Sequence, residues 1–200
     1  MGITFHVGSQ CLNKYSWNTA ILKARTLWDM AAERGIHMRI LNIGGGYPVT
    51  YTKSVVGIEE IDRNIDSVIA EQFPEGVEVY IEPGRGLVGD AGVFVSSIHG
   101  KATRGEKQWV YIDVGVFNGL MESVGGIKYS YLVENIGQKI RNVDCTLAGP
   151  SCDSFDVITE DCVLAGPELG CLVLILSAGA YTISYASEFN GFSIPKTIII

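Results

Sequence analysis

The feature that most constrains this chain is a set of short apolar runs, each stopping on a glycine-bearing loop. Ile3 to Val7 closes on Gly8-Ser9, Met38 to Ile43 on Gly44-Gly45-Gly46, and Val77 to Ile81 on Glu82-Pro83-Gly84-Arg85. Between the first two runs, Ile21, Leu22, Leu27, Trp28 and Ala31 recur at the spacing of one helix face, with Gly35 as a natural stop. Between the second and third, Ile58, Ile61, Ile65, Val68 and Ile69 repeat the pattern ahead of Pro74 and Gly76. Strand, loop and helix in this repeating order predict parallel strands joined by crossover helices.

Beyond about Leu87 the helical periodicity fades, and β-rich runs follow one another: Val93 to Ile98, Trp109 to Val114, Leu172 to Leu176 and Tyr181 to Tyr185. The predicted organisation is α/β plus all-β, with one domain over residues 1–95 and a second over 96–200. A closed parallel barrel needs eight strands in about 250 residues, and the first half offers only three runs. It is therefore either a small open α/β layer or the back end of a larger protein. The apolar ending Lys196-Thr197-Ile198-Ile199-Ile200 favours a fragment.

Composition removes several function classes. Fifteen Lys and Arg against 22 Asp and Glu give a net charge of −7 with no basic run, which argues against nucleic acid as a partner. The longest apolar stretch, Cys171 to Leu176, is six residues, far short of the roughly 20 needed to span a bilayer. No basic-then-apolar leader opens the chain, so no membrane association is expected. Five cysteines without CxxC or Cys/His spacing predict neither a disulfide framework nor a metal site, and point to a cytoplasmic protein.

Ligands in parallel α/β architectures sit at the carboxyl ends of the strands, so the three loops are expected on one rim. Gly44, Gly45 and Gly46 offer backbone N–H groups to a phosphate, Ser9 adds a hydroxyl and Arg85 a charged fork. Glu82 can hold a heteroaromatic nitrogen protonated and His6 can lie flat on an aromatic ring, which together describe a pyridinium cofactor used as an electron sink. A second reading stays open, in which Glu82 pairs with Arg85 and His6 is a satisfied core histidine. In the second half, the polar, turn-rich segment from Gly149 to Asp156 puts the thiol of Cys152 and the two carboxylates of Asp153 and Asp156 on an exposed loop. A loop cysteine can donate a proton, although cysteine is also among the most commonly buried residues. Tyr181, after the run ending at Leu176, reads on its own as a strand tyrosine whose hydroxyl can face a ligand.

Taken in order, His6-Val7-Gly8-Ser9, Leu41-Asn42-Ile43-Gly44-Gly45-Gly46-Tyr47-Pro48, Glu82-Pro83-Gly84-Arg85, Gly149-Pro150-Ser151-Cys152-Asp153-Ser154 and Gly179-Ala180-Tyr181-Thr182 resemble one family. It is the alanine-racemase-fold, pyridoxal-phosphate-dependent decarboxylases of the ornithine and diaminopimelate group, and the likeness runs from His6 to about Phe192. Cys152-Asp153-Ser154 and the stretch from Tyr111 through Leu120 are most similar to bacterial-type ornithine decarboxylases. The resemblance implies the last strands of a cofactor-binding (β/α)8 barrel followed by a C-terminal β domain, with pyridoxal 5'-phosphate as cofactor. It implies His6 stacked on the pyridine ring, Glu82 bonded to its nitrogen, and Ser9, Gly46, Gly84, Arg85 and Tyr181 at the phosphate, with Gly44, Gly45 and Pro83 in the same loops. Cys152 would be the proton donor and Asp153 the partner of the substrate's distal amine, both serving the other subunit of a homodimer with shared active sites.

The implied reaction is decarboxylation of the small-molecule substrate L-ornithine to putrescine in polyamine biosynthesis, with lysine, diaminopimelate or carboxynorspermidine as alternative substrates. The family's Schiff-base lysine lies far upstream of the His-Val-Gly-Ser motif. Lys14, Lys23, Lys53, Lys101, Lys107, Lys128, Lys139 and Lys196 all follow His6, so the chain is expected to lack that lysine and to be inactive alone. The alternative from another class is a lysine-less relative that acts by binding a partner. The family's second substrate-binding acid, expected around Val124-Gly125, is not evident.

Overall fold

The structure, a computed structural model, describes residues 1–134 and 141–200, so Lys139 lies outside the described residues. Two compact units divide between Gly89 and Asp90. The expected division at 95/96 would instead cut into a strand that begins at Phe94.

The first unit contains β1 (Gly2–Thr4), α1 (Ser16–Ala32), β2 (Ile40–Asn42), α2 (Ile58–Gln72), β3 (Glu78–Tyr80) and the short α3 (Arg85–Val88). The strands form a parallel sheet in the order β1-β2-β3. Helix α1 buries Trp17, Ile21, Ala24, Trp28 and Ala31, a stripe at helical spacing. Leu22 and Leu27, expected on that stripe, are exposed instead because they fall off its axis. Helix α2 presents Ile61 and Ile65, and Phe73 closes edge-on against Trp28 with ring centroids 5.2 Å apart. Ile3, Phe5, Val7, Leu41, Ile43 and Val77 complete this core from the sheet. Side chains alternate along a strand, so the intervening row of Thr4, Asn42 and Tyr80, which are in register, lies on the face away from the helices. His6 and Glu82 follow two residues further along β1 and β3, at the carboxyl end of that face.

The second unit contains β4 (Phe94–Arg104), β5 (Lys107–Ile112), β6 (Tyr131–Val133), β7 (Asn142–Ala148), β8 (Val157–Ala165) and β9 (Leu172–Ile175). Their order is β6-β9-β4-β5-β7-β8, antiparallel throughout except where β5 and β7 run parallel. The two edge strands β6 and β8 come into contact, so the sheet curls toward closure. Phe94, Ile98, Val110, Ile112, Leu147, Leu164, Val173 and Ile175 fill its interior.

The run from Tyr181 to Tyr185 is not a strand. Tyr181 adopts φ +52°, the Thr182 hydroxyl donates back to the Ala178 carbonyl at 3.0 Å, and residues Ile183–Tyr185 form a 3-10 turn. Among the described residues no helix is long and apolar enough to cross a membrane, and no cluster of His, Cys, Asp or Glu could hold a metal ion.

Candidate active site

The three strand-end loops of the first unit meet, and the glycines are the condition for it. A Cβ on Gly45 would lie 2.2 Å from the Glu82 carbonyl oxygen and 3.6 Å from His6 Nε2. Only a residue without a side chain lets the loops after β1, β2 and β3 approach this closely. Tyr47 anchors the far end of the glycine run: it is 1% exposed and its ring lies 5.2 Å from Trp17. Burial drives the Tyr47 phenol well above its ordinary range, so it is neutral at any working pH.

On this rim His6 is exposed and therefore not a core histidine. The Gly8 N–H donates to His6 Nδ1 at 2.8 Å, which fixes the ring and leaves the proton of the neutral imidazole on Nε2. The exposed carboxylate of Glu82 accepts from Asn42 Nδ2 at 2.6 Å, while Asn42 Oδ1 accepts the Gly44 N–H at 2.9 Å. Glu82 thus pairs with Asn42 and not with Arg85, and the N–H of Gly44 is already engaged. The glycine that was expected to offer that group to a phosphate serves instead to seat Asn42.

Arg85 is 4% exposed and its guanidinium donates to the Tyr51 hydroxyl at 2.5 Å and to Ser9 Oγ at 3.0 Å. One side chain therefore ties the loops after all three strands and holds the Ser9 hydroxyl in place. Gly84, with φ +32°, and Pro83 make the turn that delivers Arg85 there; the Pro83 carbonyl accepts the Gly86 N–H at 2.7 Å.

In the second unit the Gly149–Asp156 loop joins β7 to β8, and Asp156 is its keystone. Asp156, expected on the exposed loop, is instead 3% exposed, because its carboxylate accepts the Val116 N–H at 2.7 Å and the Ser151 N–H at 2.9 Å. A Cβ on Gly149 would lie 2.4 Å from Asp156 Oδ1, so this carboxylate also demands glycine at the loop's start. Cys152 and Asp153 are both exposed on the loop so held. Asn190 Nδ2 donates to the Cys152 sulfur at 3.7 Å, and Asp153 Oδ1 accepts the Phe155 N–H at 2.8 Å in a tight local turn. Phe117 packs beneath, 4.2 Å from Phe189 and 6.1 Å from Phe155 between ring centroids. Tyr181 is 43% exposed and stands in the bend after β9.

The sequence reading missed the roles of Asn42, Tyr51, Asp156 and Asn190. Asn42 had a local signal, since it stands two residues before Gly44, where its side chain can reach that N–H. Tyr51 and Asn190 act across long sequence separations and left none, and Asp156 joins a local partner, Ser151, to a distant one, Val116.

Residues 1–89 match the pyridoxal binding domain of the pyridoxal-dependent decarboxylases. The chain is 38% identical over 200 residues to the lysine/ornithine decarboxylase of Selenomonas ruminantium, covering all of this chain and 50% of that one. Residues 1–89 thus belong with the pyridoxal binding domains of these decarboxylases, and the chain as a whole is similar to a fragment of a pyridoxal-dependent basic amino acid decarboxylase. It is also 33% identical over 218 residues to the ornithine decarboxylase of Mus musculus, covering 98% of this chain and 46% of the relative. Among solved structures, the lysine/ornithine decarboxylase of Vibrio vulnificus complexed with cadaverine superposes with a TM-score of 0.88 at 35% identity, over 98% of this chain and 54% of that one. The chain spans about half the length of the curated relatives it matches.

The cofactor of the family's binding domain is pyridoxal phosphate, and the residues present fit it. The rim combines a flat surface at Gly45, an exposed imidazole with a fixed ring, and a carboxylate oriented by an amide. Beside these stands a hydroxyl backed by a buried cation. Those are complements to a flat heteroaromatic ring bearing a basic nitrogen and a phosphate.

Proposed function

We propose that the whole protein decarboxylates a basic amino acid, with L-ornithine as the preferred substrate, lysine as the second, and putrescine or cadaverine as product. The observation that carries this reading is the Glu82–Asn42 hydrogen bond beside the fixed His6 ring. It supports a carboxylate held to keep one ring nitrogen of the cofactor protonated. The bound cofactor supplies an electron sink for the pair left at the substrate's α-carbon when carbon dioxide departs. His6 orients the ring by stacking, Ser9 donates its hydroxyl to the phosphate, and Arg85 keeps that hydroxyl in place. Tyr181 adds a phosphate contact in this reading. Lysine is retained beside ornithine because the Selenomonas relative is a lysine/ornithine decarboxylase.

Cys152 returns a proton to the α-carbon, and Asp153 binds the substrate's distal ammonium. Both serve the active site of a second subunit, so the protein acts as a homodimer. Proton return at the right atom needs a donor within hydrogen-bond reach, and the amide of Asn190 on the Cys152 sulfur aims that donor.

The test is product analysis of full-length Cys152→Ala with ornithine. Carbon dioxide release should continue while part of the product becomes the aldehyde and the aminated cofactor, because protonation then occurs at the wrong carbon. A variant that yields only diamine removes Cys152 from the proton-donor role.

A further inference from the structure

The spacing of the cysteines pairs none of them, but the sheet register does. Cys145 on β7 stands directly opposite Cys162 on β8 in an antiparallel ladder, with a bulge beginning just after Cys145. Directly opposed residues in such a ladder have Cα atoms about 4.5–5.5 Å apart, inside the roughly 4.4–6.8 Å range that a disulfide accepts. Both side chains are buried, at 2% and 6% exposure, and their direct opposition puts them on the same face of the ladder. A cavity of about 500 Å³ reaches them, lined also by Glu106, Lys107, Asp144 and Glu160. It has room for a water-sized reagent, whose share of liquid volume is about 30 Å³.

We propose that Cys145 and Cys162 are a reversible thiol–disulfide pair that a peroxide oxidant closes across β7 and β8. The neighbouring Cys162 lowers the Cys145 thiol, while Cys145, and then burial, raise Cys162. Either sulfur can attack the oxidant; with Cys145 attacking, Cys162 resolves. The Cys145 thiolate attacks one oxygen of hydrogen peroxide; the O–O bond breaks, a sulfenic acid forms, and hydroxide leaves as water after taking a proton from solvent. The Cys162 sulfur then attacks the Cys145 sulfur; the S–O bond breaks and the departing hydroxide takes the Cys162 proton as a second water. Two thiols and one peroxide give one disulfide and two waters: both sulfurs are oxidised and both peroxide oxygens reduced. The bulge beside Cys145 provides the local give that a cross-strand bridge requires.

This pair is independent of the proposed decarboxylation, since neither cysteine lies on the Cys152 loop. The test uses the full-length protein titrated with hydrogen peroxide, then unfolded, alkylated, digested without reduction and mapped by mass. The expected result is a linked Cys145–Cys162 peptide, lighter than the two free peptides by two hydrogens and abolished by dithiothreitol. In Cys162→Ser, a sulfenic-acid trap should label Cys145. If that variant does not fold, the wild-type map decides alone. Quantitative alkylation of Cys145 and Cys162 at peroxide levels that have already consumed exposed Cys152 overturns the proposal, as do linkages confined to other cysteines.

Discussion

Replacing Asp156 with asparagine isolates what the buried carboxylate does for the loop that carries Cys152. The carboxylate accepts two backbone N–H groups, from Val116 at 2.7 Å and Ser151 at 2.9 Å, one through each oxygen. An asparagine keeps one acceptor and turns an NH2 toward the other N–H, so one charge-assisted bond is lost and its donor faces another donor. Hydrogen bonds to charged groups contribute about 1.5–3 kcal/mol each, and a buried group left without a partner costs about 1–3 kcal/mol. Asp156→Asn should therefore lower unfolding free energy by about 2–4 kcal/mol, and Asp156→Ala, which frees both donors, by more. Urea unfolding of the full-length protein measures the loss. The rate at which Cys152 reacts with a thiol reagent in the native state measures the second consequence, a loop no longer pinned at Ser151. An asparagine variant within about 0.5 kcal/mol of wild type, the scatter of ordinary surface substitutions, and with unchanged Cys152 reactivity refutes the reasoning. Gly149→Ala offers an independent check, because its Cβ would meet the same carboxylate at 2.4 Å.

Glu82→Gln should lower turnover of the full-length protein far more than it weakens cofactor binding, since an amide cannot keep a ring nitrogen protonated; wild-type turnover at saturating cofactor removes Glu82 from that role. Arg85→Lys should weaken cofactor binding, measured by equilibrium titration, because a single ammonium does not reproduce the planar fork that reaches Ser9 and Tyr51 together. Asp62→Asn should raise the melting temperature at neutral pH. Burial is the first cause raising the Asp62 carboxyl in the folded state, so its favourable contribution is present below the unfolded pKa and lost as pH rises through the folded one. The advantage of the variant should shrink as pH falls into the carboxylate range; an advantage independent of pH assigns the effect to something other than ionisation.

The first unit was largely legible because its elements are local. Trp17, Ile21 and Trp28 announce α1 by spacing, and each glycine-rich loop marks a strand's end. In the second unit β4, β5 and β9 were legible from their β-rich runs, whereas β6, only three residues long, β7 and β8 were not. Strand β7 opens on Asn142-Val143-Asp144 and its alternation is broken by bulges, and β8 carries Glu160-Asp161 at its centre, so neither displays a clean period of two. Tyr181 read as a strand residue because the left-handed backbone it adopts follows from Thr182 folding back on Ala178, which propensity does not encode. In the site, the motif residues themselves were readable, whereas their supports were not. Tyr51 and Asp156 acquire their roles only once distant loops are brought together.

The parallel pairing of β5 with β7 bears on how the second unit assembles. Strands β4 and β5 form one hairpin across a turn at Gly105, and β7 and β8 form another around the Gly149–Asp156 loop. Each hairpin is local and can form on the microsecond scale on its own. Gln108 must then find Cys145, and Val110 must find Leu147, across all the chain between them. Contacts of such sequence separation cost loop entropy before they return any stability, and they set the slow step in β-rich folds. The seam between β5 and β7 is thus where folding of this unit commits. Substitutions at Val110 or Leu147 should slow refolding, whereas changes confined to the Gly105 turn should act on a step already complete.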